Sequence, residues 1–253
     1  MNPIIKYIIL TGVRDRIYVS LFLTLIISFS VSIFLGSTAL IEQRHMTSAY
    51  IAGSSRIIMV FGMILFVCLN LSRAFENKEV EFVISKSISR QKYILGYLIS
   101  YLVTAALIFV PLIIAMMIVI KPAGLGMAIW SLSLMFELAI MICFAILASL
   151  ILQNAFISIF ASFGFYILSR MIAIFVMAIE MPTSLLDFKI KTFGSILKLM
   201  SVFFPRLDLY AQSSWLTYNI EDLSQIKIIA LQSLIFIPLM IFMAFHDFKK
   251  KQF

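Results

Sequence analysis

The sequence predicts an all-α integral membrane protein with six transmembrane helices, and three observations carry that prediction. Hydrophobic residues make up 62% of the chain and charged residues only 13%, so there is too little polar material to cover a water-soluble core. The apolar residues fall into six long runs, of the order of the ~20 residues that cross a bilayer as a helix. The positive charge, +8 net at pH 7, collects mostly between the runs and at the ends, where Lys and Arg set topology. The whole of residues 1–253 reads as a single transmembrane domain. Three additions complete it: an N-terminal interfacial helix, an amphipathic cytoplasmic helix between spans two and three, and short outer-leaflet helices between spans five and six.

Residues 1–16 form the interfacial helix, with Ile4, Ile5, Ile8 and Ile9 at the headgroup boundary and Gly12 as the break before the first span. No small-residue cleavage site follows the apolar run, and Arg14, Asp15 and Arg16 stand in its place, so the segment is expected to be retained. The spans are Ile17–Ile41, Ile57–Leu71, Tyr93–Ile120, Leu125–Leu152, Ala155–Met181 and Ile226–Phe245. The second is short as written, and its helix begins earlier, near Tyr50. Pro111 and Pro238 fall inside spans, where membrane helices tolerate kinks.

Within the first span Ser20, Thr24, Ser28, Ser32 and Gly36 recur at every fourth position. Small residues let helices approach closely in lipid, so the stripe reads as a packing ridge against this chain or a second copy. A polar translocation face is the alternative reading of the same hydroxyls.

Spans four and five form a tight hairpin around Gln153 and Asn154. Glu137 precedes that turn and Arg170 follows it by nearly equal distances. Helical rise then puts both at one depth near the bilayer middle, where an isolated charge is costly. The two are expected to form an intramembrane ion pair. Either it fixes helix register or it lines or gates the route of a polar substrate group. Residues 182–225 are long and apolar for a loop, with Ile196, Leu197, Leu199, Met200, Phe203 and Phe204 before Pro205. They are expected to lie on, or dip into, the outer leaflet.

Orientation follows from the cations. With the N-terminus inside, eleven Lys and Arg lie on cytoplasmic segments and three, Arg44, Arg56 and Lys121, in the two short outer loops. The long outer segment and the start of the last span add Lys189, Lys191, Lys198, Arg206 and Lys227. The positive-inside rule favours both termini in the cytoplasm, as in a multi-pass protein of a prokaryotic inner membrane.

Several function classes find no support. There is no G-x-x-x-x-G-K-[ST] element for nucleotide. His45 and His246 fall on opposite sides of the membrane and cannot share a metal. The fifteen Met residues are scattered and read as packing. Cys68 and Cys143 sit inside apolar runs and read as buried thiols. No nucleophile–base constellation is assembled, so no enzyme is expected, and no basic stripe with interleaved aromatics points to nucleic acid.

The polar island Arg73–Lys92, RAFENKEVEFVISKSISRQK, packs five Lys/Arg and three Glu between apolar runs. Val80, Val83 and Ile84 share one helical face, and Ser89 is placed to cap the third span. The order of its residues resembles the coupling segment of ABC-2 type transporter permeases. That family carries Glu-x-x-Gly-Thr, an apolar step, Ser-x-Pro-[Ile/Val]-Ser-Arg and then Gly-Lys. Here Glu76 opens the element and Phe82, Val83 and Ile84 supply the step. Ser85-Lys86-Ser87-Ile88-Ser89-Arg90 follows, and Gly96 matches the glycine. Glu79 and Val80 stand for Gly-Thr, Ser87 for Pro and Tyr97 for Lys. The stretch Pro205-Arg206-Leu207-Asp208-Leu209-Tyr210 is similar to a Pro-x-Leu-acidic element of the branch often labelled multicopper-enzyme-maturation permeases, a label that does not make copper the cargo.

The resemblance implies the membrane permease subunit of an ABC exporter with the six-helix type V architecture. ATP and Mg would be bound by a separate ABC ATPase, and no cofactor by this chain. Two permease chains, as a homodimer or related heterodimer, would pair with two ATPases. Residues 73–92 would be the coupling segment, with Glu76, Glu79 and Arg90 as polar ATPase contacts and Val83 and Ile84 as apolar anchors. An ion-gradient-driven secondary transporter working through Glu137 and Arg170 is the alternative, and a non-transporting membrane scaffold is a third.

Overall fold

In the computed structural model the described residues are 8–10, 16–38, 42–80, 89–121, 124–180, 204–217 and 224–250, with side chains 173–180 outside the description. Val83 and Ile84, the segment 182–203 and most of residues 1–15 therefore fall outside it. Among the described residues every regular element is helical. In chain order they are α1 (Arg16–Ser37), α2 (Gln43–Glu76), α3 (Arg90–Ile120), α4 (Gly124–Leu152), α5 (Ala155–Glu180), a 3-10 turn (Leu207–Leu209), α6 (Ser214–Thr217) and α7 (Ser224–Lys250). All but the 3-10 turn and α6 are long and apolar enough to cross a membrane, which makes six candidate spans.

The bundle is built around α4. In its most apolar stretch 72% of residues are buried, against 22% for α1 and for α7. It touches α2, α3, α5, α6 and α7. Trp130, Leu134, Leu138, Met141 and Ala145 along it are fully enclosed. Helix α1 lies at the periphery and docks mainly on α2. Gly62 of α2 accepts the Leu21 side chain, whose Cδ1 would lie 2.3 Å from any Cβ at that position.

The ridge expected on α1 is divided. Ser32 and Gly36 are buried against α2, with Ser32 Oγ 3.4 Å from Ser54 Oγ and Gly36 against Thr47. Ser20 and Thr24 are exposed and bond back into their own helix, to the carbonyls of Ile17 and Ser20. Ser28 is half-buried. Leu21 and Leu25 take the buried positions at that end of the helix. The reason is rotational. A row of every fourth residue turns about 40° per step on a helix of 3.6 residues per turn, so Ser20 and Gly36 lie about 160° apart.

Two ends of the bundle can be told apart. The near end holds the α2–α3 connection, the α4–α5 turn and the last turn of α7. The far end holds the α1–α2 and α3–α4 connections. At the near end Gln153 takes a left-handed conformation, φ 52°, and Asn154 Oδ1 accepts from the amides of Phe156 and Ile157 at 3.0 and 3.3 Å. That N-cap allows a two-residue turn between antiparallel spans.

An arginine closes a neighbouring helix at each end. At the far end Arg44, in the first turn of α2, donates to the terminal carbonyls of α3, Ile120 and Lys121. At the near end Arg90, the first residue of α3, donates Nη1 to Phe248 and Lys249 of α7 at 3.0 and 2.9 Å. Each satisfies carbonyls that have no intrahelical partner and sits at the negative end of a helix dipole. Beside Arg90 a ladder of rings runs from Phe248 through Tyr93 and Tyr97 to Tyr101, with Tyr93 and Phe248 stacked at 5.7 Å. Tyr101 Oη donates to Asn70 Oδ1 of α2 at 2.9 Å.

Candidate functional site

Helix α2 is longer than the hydropathy run suggests. It begins at Gln43, so Arg56 lies inside a span and not in an outer loop. Arg56 is thirteen residues from the far-end start of α2, and Glu137 is thirteen from the far-end start of α4. Both are therefore about 20 Å down the bundle. Arg170 reaches the same level from α5. Its Nη1 lies 3.2 Å from Glu137 Oε1, across the hairpin from the fully buried carboxylate. Arg56, Glu137, Arg170 and Tyr166 are close enough to act on one another electrostatically. Three spans thus place two guanidiniums and one carboxylate at one depth, a surplus of one positive charge where charge is expensive.

The surplus is met by backbone. Residues 205–217 fold back between the spans from the far end as a strap. Arg170 Nη1 donates to the Leu207 carbonyl at 2.7 Å, and Arg56 Nη1 to the Ala211 carbonyl at 3.1 Å. The Ala211 amide donates to Ser133 Oγ of α4 at 3.0 Å. Ala211 has φ 46°, a left-handed conformation that disfavours a residue with a Cβ. Both of its backbone groups are held by the bundle, which fixes it there. Leu207, Tyr210 and Ala211 are completely or almost completely buried.

The strap is fastened at two further points. Tyr210 Oη donates to the Ile229 carbonyl of α7 at 3.1 Å and lies 2.9 Å from Ser233 Oγ. Burial pushes this hydroxyl up to about 12, against the pull of the Ser233 hydrogen bond, so it keeps its proton at neutral pH. Farther out, Ser48 Oγ and Thr217 Oγ1 are 3.0 Å apart. Gly126 lies against the Trp215 carbonyl, and a Cβ there would come within 2.1 Å of the oxygen. Non-helical backbone at this depth is tolerable because protein groups satisfy it.

The Tyr166 hydroxyl is buried beside Arg56 and Glu137 and completes the polar cluster. The cluster assembles no nucleophile with a base. Its chemistry is holding charge and backbone.

The other sequence-derived positions lie elsewhere. Glu76 is the exposed last residue of α2, so it ends a span helix instead of opening a separate one. The chain breaks at Asn77 and Lys78, whose amides return to the carbonyls of Arg73 and Phe75, with Lys78 at φ 55°. Glu79 is half-buried and Val80 buried as helical structure resumes. Ser89 caps α3, its Oγ accepting from the Lys92 amide at 3.4 Å. Arg90 is engaged with α7 within this chain, as described above.

Sequence reasoning missed Arg56, Ser133 and Tyr210. The shortness of the second apolar run was the one available sign for Arg56. Neither a protein-family model nor a curated protein matches the chain. The fold defines a helical chain with six candidate membrane spans and a backbone strap held over buried charge.

Proposed function

We propose that the chain is the membrane permease subunit of an ABC exporter. A separate ATPase would supply ATP hydrolysis with Mg, and a second permease chain would complete the transport unit. The observation that carries this reading is the continuity of α2. It runs 34 residues without a break from Gln43 to Glu76, about 50 Å. Its near end enters the segment whose sequence resembles an ABC-2 coupling element, and its far half carries Arg56 on the strap. A push at residues 76–90 is delivered along a rigid helix to the contacts that hold the strap. An element with two positions is what ligand binding at a distance can bias, and the strap would be that element. The orientation argument supports the same reading: with Arg56 inside a span, only Arg44, in the first turn of α2, and Lys121 remain as cations at the two short far-end connections. The near end is then cytoplasmic, in the inner membrane of a prokaryote.

The test is purification of the tagged chain in mild detergent with mass analysis of what accompanies it. A stoichiometric P-loop ATPase, lost on changing Val83 and Ile84 to Asp, is the expected result. Intact chain without an ATPase, under conditions that preserve other membrane complexes, overturns the reading. A second reading has one observation in its favour: the fully buried Glu137 carboxylate suits a gradient-driven carrier. That carrier would transport in proteoliposomes without any partner and stop when the ion gradient is collapsed.

A further inference from the structure

At the near end a cleft of about 460 Å³ opens between the first turn of α3 and the last turns of α7. Its wall is apolar, made by Ile94, Phe242 and Phe245, and its rim carries Arg90, His246 and Lys249. Among the described residues no acidic side chain lines it. The guanidinium of Arg90 is not trailing in solvent. Its two bonds to the α7 carbonyls fix it at the mouth of the cleft. Phe242 is 67% exposed. It lies four residues before His246, and Ile94 four after Arg90, so wall and rim are separated by one helical turn, about 6 Å. A step of that size from polar rim to greasy surface matches the passage from headgroup to acyl chain at a bilayer boundary.

We propose that this cleft binds an anionic phospholipid of the near-end leaflet, with the headgroup phosphate at Arg90, His246 and Lys249 and an acyl chain along Phe242 and Phe245. Charge complementarity selects the anion. The apolar wall selects a lipid over a free phosphate, which would leave that surface in contact with water. The proposal needs only that the six helices span a bilayer. It does not depend on the exporter reading.

The test uses the full-length chain, purified and delipidated, with retained lipid measured by native mass spectrometry. The probes are phosphatidylglycerol and phosphatidylcholine with identical acyl chains. Phosphatidylglycerol should be retained about tenfold more, since each surface cation contributes a fewfold. The preference should fall severalfold in the His246→Gln/Lys249→Gln variant, which leaves Arg90 and its bonds to α7 in place, and persist in full in Lys121→Gln at the far end. Equal retention of the two lipids by the parent chain, or an undiminished preference after the double change, overturns the proposal. Displacement of phosphatidylglycerol by millimolar inorganic phosphate would make this a small-anion site and also overturn it. So would a cleft that shows no headgroup preference but is shielded from labelling at Lys249→Cys only when a soluble protein is bound.

Discussion

A single nitrogen of Arg170, Nη1, serves two acceptors at once: Glu137 Oε1 at 3.2 Å and the Leu207 carbonyl at 2.7 Å. The ion pair between two spans and the attachment of the strap therefore share one group. Neither contact can be lost without disturbing the other.

Charge counting ranks the variants of this cluster. Glu137→Gln leaves the half-buried Arg56 and Arg170 without a counter-charge, whereas Arg170→Gln leaves Arg56 and Glu137 as a balanced pair. Glu137→Gln should cost about 3–5 kcal/mol, the usual penalty for stranding a buried charge. Arg170→Gln should cost less, and the double variant less than the sum. Thermal melting in one detergent gives all three values. Strict additivity would mean that the two side chains do not interact.

Gly126 is predicted to be indispensable for seating the strap. Gly126→Ala puts a methyl group into the Trp215 carbonyl, and an overpacked contact of this kind costs about 1–3 kcal/mol. The readout is maleimide labelling of Leu216→Cys, a position 5% exposed in the seated strap. Labelling should accelerate in the Gly126→Ala background. An unchanged rate would show that α4 and the strap separate readily at this point.

Tyr210 makes the strap sensitive to alkali. Its hydroxyl is raised from 10.0 to about 12 in the folded chain, chiefly by burial. The folded state thus holds this proton more tightly than the unfolded state. The stabilisation is complete below about pH 10 and disappears as pH rises through about 12. Trp215 fluorescence in a Trp130→Phe background should report a transition in that window. Tyr210→Phe should abolish the transition and cost about 1–2 kcal/mol at neutral pH through lost hydrogen bonds.

Arg44 and Arg90 should behave as helix closures. Replacing either with Gln removes charge-assisted bonds to terminal carbonyls and should cost about 1–3 kcal/mol. Lys should rescue poorly, because one ammonium cannot reproduce the fixed fork of a guanidinium. The measurement is the melting temperature of the isolated chain. If Arg90→Gln melts like the parent, the α7 contact contributes nothing to stability.

The depth of Glu137 and Arg170 was legible because a two-residue turn fixes the origin of the count on both helices. Arg56 was not, because it stands at the edge of the apolar run that opens at Ile57, where an arginine reads as a loop cation even with the helix expected to begin near Tyr50. The helix nonetheless extends back to Gln43, with Ser48 buried against Thr217 while Gln43, Arg44, Met46 and Tyr50 stay exposed. The α1 stripe misled for another reason. Spacing in sequence was regular, but regular fourfold spacing winds around a helix and cannot hold one face over five positions. The strap falls in a segment, 182–225, that the sequence marks as too apolar for a plain loop. Its attachment was not legible, because Arg56 and Arg170 grip it through main-chain carbonyls, which carry no residue signature.

The surplus guanidinium at the centre of the bundle has a consequence for permeability. Fixed positive charge in a low-dielectric interior repels protons and metal cations from any path along the axis, as an arginine does in pores that must stay closed to them. Were the bundle to open around Arg56 and Arg170 in the proposed transport, it would carry its own barrier against ion leak, and the membrane potential would survive the opening.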